Sequence, residues 1–114
     1  MAGKVKRFNE ERERLNRIVL ERDNLELKRF FALDQAAYRD GALDARTKEL
    51  MGLAASLVLR CDDCISYHVL RAGEMGLTNE QFDEAMSIGL VVGGSITIPH
   101  IRRAAELWKE INNR

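Results

Sequence analysis

A chain of 114 residues is long enough for one domain with its own core, and short enough that association with further copies would help to cover its apolar surface. Its 18 basic and 18 acidic residues cancel, which removes the electrostatic reason to expect nucleic acid or an anionic membrane as a partner. Two cysteines are too few for a secreted disulfide framework, Met1-Ala2-Gly3-Lys4 leads into charge, and the apolar stretches 50–59 and 88–94 fall far short of a membrane span; the cytoplasm is the expected location.

The charge-rich segment 6–20 carries a sparse apolar stripe at Phe8, Leu15, Ile18 and Val19, the pattern of a surface helix packed along one side. Asn24 is placed to cap a second helix running to about Tyr38, with Leu27, Phe30, Phe31, Leu33 and Ala37 as its apolar side. Asp40-Gly41 then breaks the chain. Asp44 caps a third helix that carries Glu49 and the run 50–59, in which Ser56 is the only polar side chain. A helix so apolar belongs in the middle of a bundle or at a subunit contact.

The fourth helix is expected from about Asp62 to Met75, with Gly76 as its C-cap and Cys61 at or just before its start. Here the chain places its two cysteines and one of its two histidines within Cys61-Asp62-Asp63-Cys64-Ile65-Ser66-Tyr67-His68. Helical spacing turns Cys61, Cys64 and His68 to one face, within reach of a disulfide and of an imidazole one turn further on. Only a thiolate is nucleophilic, and a helix N-terminus or a nearby imidazole favours it, whereas Asp62 and Asp63 oppose it. A fall of about two units from the usual thiol pKa raises the thiolate fraction roughly 25-fold but costs roughly eightfold in intrinsic nucleophilicity. If the site cleaves an O–O bond, it therefore also needs a general acid for the departing oxygen, a task suited to His68.

Thr78 and Gln81 form a capping box for a fifth helix whose apolar length, Phe82 to Val92, stops at Gly93-Gly94. Pro99 suits the first turn of a last helix bearing His100, Ile101, Leu107, Trp108 and Ile111. No dinucleotide fingerprint, phosphate loop or serine elbow is present. The fold class is all-α, a bundle of roughly six helices, with Trp108, Phe30, Phe31 and Phe82 read as core. Tyr67 reads chiefly as packed at an interface, with donation to a substrate oxygen as the other role. His100 reads chiefly as satisfying backbone groups at the helix start, with pocket lining as the other role. Cys61, Cys64 and His68 with a carboxylate such as Glu49 would also make a zinc set, and two inert buried cysteines are a further reading.

The string Glu49, eleven residues, Cys61-x-x-Cys64, three residues, His68 resembles the signature of the AhpD-like alkyl hydroperoxidases of the carboxymuconolactone decarboxylase superfamily. Gly73 through Thr78, and Gly93-Gly94-Ser95 followed by Ile98-Pro99-His100, are similar to later segments of that family. The resemblance spans residues 25–107 and leaves out the charged N-terminal helix.

It implies a helical protomer with an antiparallel hairpin at its centre, assembling into trimers or hexamers; with the charged helix at about 6–20 added, the length makes residues 1–114 a single domain of this kind. It also implies a hydroperoxidase with no cofactor beyond its redox-active cysteine pair and no metal. Carried over by position, Cys64 attacks the peroxide and Cys61 resolves the sulfenic acid to a disulfide. Glu49 and His68 form a proton relay with a bound water between. The substrate would be a small hydroperoxide, and the electron donor an unidentified thiol. Asp63 stands where AhpD has a histidine, and the chain is one short unit rather than AhpD's longer two-part chain. The decarboxylase branch, which acts on a lactone acid, lacks the cysteine pair; Arg46, Arg60 or Arg102 would be its candidate cations. A redox sensor or disulfide-exchange protein without peroxide turnover is the alternative from another class.

Overall fold

The computed structural model describes residues 2–112, and every regular element among them is helical. The order is α1 (Ala2–Leu20), α2 (Leu25–Ala37), α3 (Ala45–Leu59), α4 (Asp62–Glu74), α5 (Asn79–Gly93) and α6 (Ile98–Asn112), with a 3-10 turn, Ser95–Thr97, leading into α6. Local chemistry sets most of these starts. Asn24 and Asp44 accept the backbone N–H groups of Leu27 at 2.9 Å and Thr47 at 2.8 Å, and Thr78 and Gln81 close the reciprocal box expected of them.

The turn between α3 and α4 positions the cysteines. Arg60 adopts a left-handed conformation, φ 58°, so that its N–H reaches Leu57 O at 3.0 Å and the Cys61 N–H reaches Ser56 O at 3.2 Å. This closes the carbonyl end of α3 as glycine usually does, although a side chain there costs about 1–2 kcal/mol. The chain thus reverses within two residues, and Cys61 becomes the N-cap of α4. At the far end of α4 the same motif recurs with a glycine, Gly76 at φ 71°.

α3 and α4 form the antiparallel central hairpin, so the start of α3 lies beside the end of α4; Arg46 donates to Met75 O at 2.8 Å there. α5 runs parallel to α3, with Gly89 against Leu57 and Ala54, and α6 runs parallel to α4, with Ile111 against Gly73. Between these four helices lie fully buried Leu53, Leu57 and Val69, and Phe82 stacks on Trp108 with ring centroids 4.4 Å apart. The indole N–H is satisfied by Asn79 Oδ1 at 2.7 Å, which removes the cost of burying it. α1 lies outside, its Val5 and Phe8 packed on the core.

Two sequence expectations are corrected. The first helix starts at Ala2, ahead of the expected residue 6, because nothing in its highly charged first turns breaks it. α2 has an apolar side but buries no residue: Phe30 and Leu33 are each 65% exposed and Phe31 is half-buried, so neither phenylalanine is a core residue. The run 50–59 is enclosed on one side only, since α4 and α5 cover Leu53 and Leu57 while Met51 and Leu59 face outward. Among the described residues no helix is long and apolar enough to cross a membrane.

Candidate functional site

Glu49 sits in the second turn of α3 and His68 in the second turn of α4, and the antiparallel pairing of these helices brings them together. The His68 Nδ1–H donates to Glu49 Oε1 at 2.5 Å, and both side chains are almost wholly buried. This contact is direct, correcting the expected intervening water. A buried carboxylate is costly without a partner, so Glu49 fixes both the ring orientation and the tautomer of His68. In the neutral imidazole that leaves Nε2 with its lone pair, and the hydroxyl of Tyr38, at the end of α2, lies 3.5 Å from it. Burial, and then the Glu49 carboxylate, push the Tyr38 phenol up from its ordinary value, keeping it a neutral donor.

Gly52, one turn beyond Glu49 on the same face of α3, makes room for this arrangement. A Cβ there would fall 2.6 Å from the Tyr38 hydroxyl and 2.7 Å from His68 Cε1. Gly52→Ala is therefore expected to displace the imidazole, to cost about 1–3 kcal/mol of stability by overpacking despite the better helix propensity of alanine, and to broaden or shift the His68 ring signals in an NMR spectrum.

Cys61 and Cys64 are joined by a disulfide with Cα atoms 5.3 Å apart. The Cys61 sulfur also accepts the Cys64 N–H at 3.3 Å, which makes the residue a sulfur N-cap. In the reduced protein that N–H and the positive end of the helix dipole favour a thiolate. Cys64 is exposed and Cys61 half-buried. Of the two acids that oppose ionisation, Asp62 is largely neutralised: it accepts from His100 Nδ1 at 2.8 Å and from Arg103 at 3.1 Å. The His100 hydrogen bond first, then that of Arg103, hold its carboxyl below the usual range. His100 thus pairs with a side chain rather than with backbone groups. Asp63 remains beside Cys64 on the wall of a cavity.

That cavity, about 460 Å³, is lined by Cys64, His68, Tyr67 and Asp63 on one side and by Phe8, Arg12, Leu15 and Phe30 on the other. Tyr67, expected at an interface, meets His68 edge-on and carries the Arg12 guanidinium 4.2 Å over its ring. A second cavity of about 470 Å³ lies behind Tyr67 and is lined by Tyr38, Glu49 and Arg71. All four predicted site residues therefore surround one place: Glu49 joined to His68, and His68 sharing a cavity with Cys64, which is bonded to Cys61. Among the described residues no three His, Cys, Asp or Glu side chains are grouped as ligands for a metal ion.

Sequence reasoning missed Tyr38, Arg12, Gly52 and Arg103. A lone glycine inside the apolar run of α3 was a readable signal of close approach; the others come from helices whose docking no spacing encodes. Of the candidate cations, Arg46 caps the end of α4 and Arg60 forms the turn before Cys61, and neither lines either cavity.

The sequence profile described as the carboxymuconolactone decarboxylase family matches residues 25–107. A Paracoccus denitrificans protein described as uncharacterized protein 4 in the cox locus is 37% identical over 83 residues, 73% of this chain and 75% of that one. The crystal structure of a carboxymuconolactone decarboxylase family protein from Thermotoga maritima, described as a candidate for involvement in an antioxidative response, is 56% identical, with a TM-score of 0.88 over 92% of this chain and 89% of that one. A Legionella pneumophila protein of the same family, solved in its apo form, is 27% identical with a TM-score of 0.71 over 98% and 90% of the two chains. Since the matched segment holds Glu49, both cysteines and His68 together with most of the bundle that positions them, the chain belongs to the carboxymuconolactone decarboxylase family.

Proposed function

We propose that this protein is a thiol peroxidase that reduces organic hydroperoxides through Cys64 and Cys61. The observation that carries the reading is the exposed Cys64, bonded to a half-buried Cys61 and sharing an apolar-walled cavity with a histidine held by a buried glutamate. The antioxidative description of the Thermotoga maritima relative agrees with it.

In the reduced protein the Cys64 thiol passes its proton to His68, whose imidazolium is stabilised by Glu49. The thiolate attacks the distal oxygen of ROOH and the O–O bond breaks. The sulfur keeps the hydroxyl as a sulfenic acid, and the departing alkoxide takes the proton from His68 to leave as ROH. The Cys61 thiol then attacks the sulfenic sulfur, releasing water and closing the disulfide. A dithiol donor returns both cysteines to thiols and is itself oxidised. Phe8, Leu15 and Phe30 face the apolar body of the substrate. The protein works as a homo-oligomer in this reading, and the exposed Leu33, Leu59, Val91 and Val92 are its contact surface.

The test is consumption of cumene hydroperoxide by the wild-type protein with dithiothreitol as reductant. Catalytic turnover, with one alcohol formed per dithiol oxidised, is the expected result. Absence of turnover in a protein whose disulfide still opens and closes would replace this reading with disulfide exchange or redox sensing.

A further inference from the structure

We infer that Asp62, His100 and Arg103 form a clamp that holds the first turn of α4 against α6 and so sets how readily the Cys61–Cys64 pair closes. This rests on the thiol cycle above only in taking the pair to open and close.

Asp62 is the first residue of α4 and lies between the two cysteines. One carboxylate oxygen accepts from His100 Nδ1 at 2.8 Å and from Arg103 Nε at 3.4 Å, and the other accepts from Arg103 Nη2 at 3.1 Å. His100 and Arg103 are three apart on α6, so a single face of that helix presents both donors. At the other end of the same pair of helices, contact is apolar and close, with Ile111 against Gly73. The polar clamp is therefore the end of the interface that sits next to the chemistry.

The clamp acts through chain freedom. When the disulfide opens, Cys61 lies outside the helix, held by its own N–H to Ser56 O at 3.2 Å and by the residue that follows it. Anchoring that following residue keeps the Cys61 sulfur near Cys64 and raises the effective concentration at which the two meet. A solvated ion pair of this kind contributes little to global stability. At a hinge next to a bond that breaks and forms, the same contact acts on a local equilibrium instead. Asp62, His100 and Arg103 are positioning residues here, since none of them touches the reacting sulfurs.

The clamp has a second consequence, of opposite sign for its two halves. An Asp62 carboxylate without the Arg103 charge would disfavour a thiolate at the adjacent cysteine, whereas loss of the carboxylate would favour it. Anchoring and charge are therefore separable.

The experiment equilibrates the full-length wild type, Asp62→Asn, Arg103→Gln and Arg103→Lys with dithiothreitol redox buffers and reads the dithiol fraction by alkylation and mass spectrometry. Circular dichroism confirms the fold of each. No peroxide is involved. Asp62→Asn and Arg103→Gln are both expected to lower the disulfide-to-dithiol equilibrium constant, by about tenfold, a shift of about 30 mV for a two-electron couple. Arg103→Lys, which keeps the charge without the fork, is expected to fall between them and the wild type. Constants that move in opposite directions for Asp62→Asn and Arg103→Gln would reduce the effect to electrostatics and overturn the clamp. So would constants unchanged from the wild type in all three variants. A wild-type disulfide that never equilibrates with dithiothreitol would instead overturn the thiol cycle, and the clamp with it.

Discussion

Cys64→Ser is expected to abolish peroxide consumption and sulfenic acid formation outright, whereas Cys61→Ser is expected to form one sulfenic acid per chain at Cys64 and then stall. The asymmetry follows from where the sulfurs sit. Cys64 is exposed on the cavity that also contains His68, so a peroxide entering there meets this sulfur. Cys61 is half-buried at the helix cap, is absent from that cavity wall, and turns its sulfur toward the Cys64 N–H. It is placed to attack an oxidised Cys64 and poorly placed to meet the substrate itself. Trapping with dimedone followed by peptide mass spectrometry reads the site directly. With excess peroxide, the Cys61→Ser protein should proceed to a sulfinic acid at Cys64, because nothing intercepts the intermediate. Equal trapping at Cys61 in Cys64→Ser would reverse the two roles.

Changes at the buried pair are expected to separate stability from chemistry. Glu49→Gln and His68→Ala should each slow sulfenic acid formation by about 10²–10⁴, the usual loss when positioned acid or base help is removed. Their effects on folding should differ. His68→Ala leaves a buried carboxylate without its imidazole partner, a change that typically costs about 3–5 kcal/mol when the group stays charged. Glu49→Gln keeps the size and an acceptor oxygen for the imidazole N–H, and should cost about 1–2 kcal/mol. Combining His68→Ala with Glu49→Leu removes both polar groups and should recover much of the stability while leaving the rate as low as before. Urea unfolding and single-turnover kinetics on the wild type and these three variants check both halves. A double variant that regained the rate along with stability would remove the pair from the chemistry.

Much of the helical framework was legible because its signals act over a few residues. Asn24, Asp44 and the Thr78–Gln81 box each start a helix through a hydrogen bond to a residue three positions on, and the left-handed Gly76 ends one where a glycine was expected to. The grouping of Cys61, Cys64 and His68 was legible for the same reason, since seven residues of a helix bring them onto one side. Glu49 was not reached from the residues alone. It entered through the family resemblance, because its distance from His68 depends on the hairpin closing at Arg60, an unusual residue for a left-handed turn.

The amino-acid sequence by itself determined the helical class, most of the helix starts and the grouping of two cysteines and a histidine at the head of α4, all of which rest on contacts within one or two turns. Only the tertiary structure decided that Glu49 meets His68 directly, that Tyr38 faces the other ring nitrogen, that α1 roofs the cavity over Cys64, and that His100 and Arg103 hold Asp62. These contacts join side chains from different helices. Their geometry is set by how the helices dock, through the shared burial of Leu53, Leu57, Val69 and Phe82, and residue spacing along the chain carries no record of that packing.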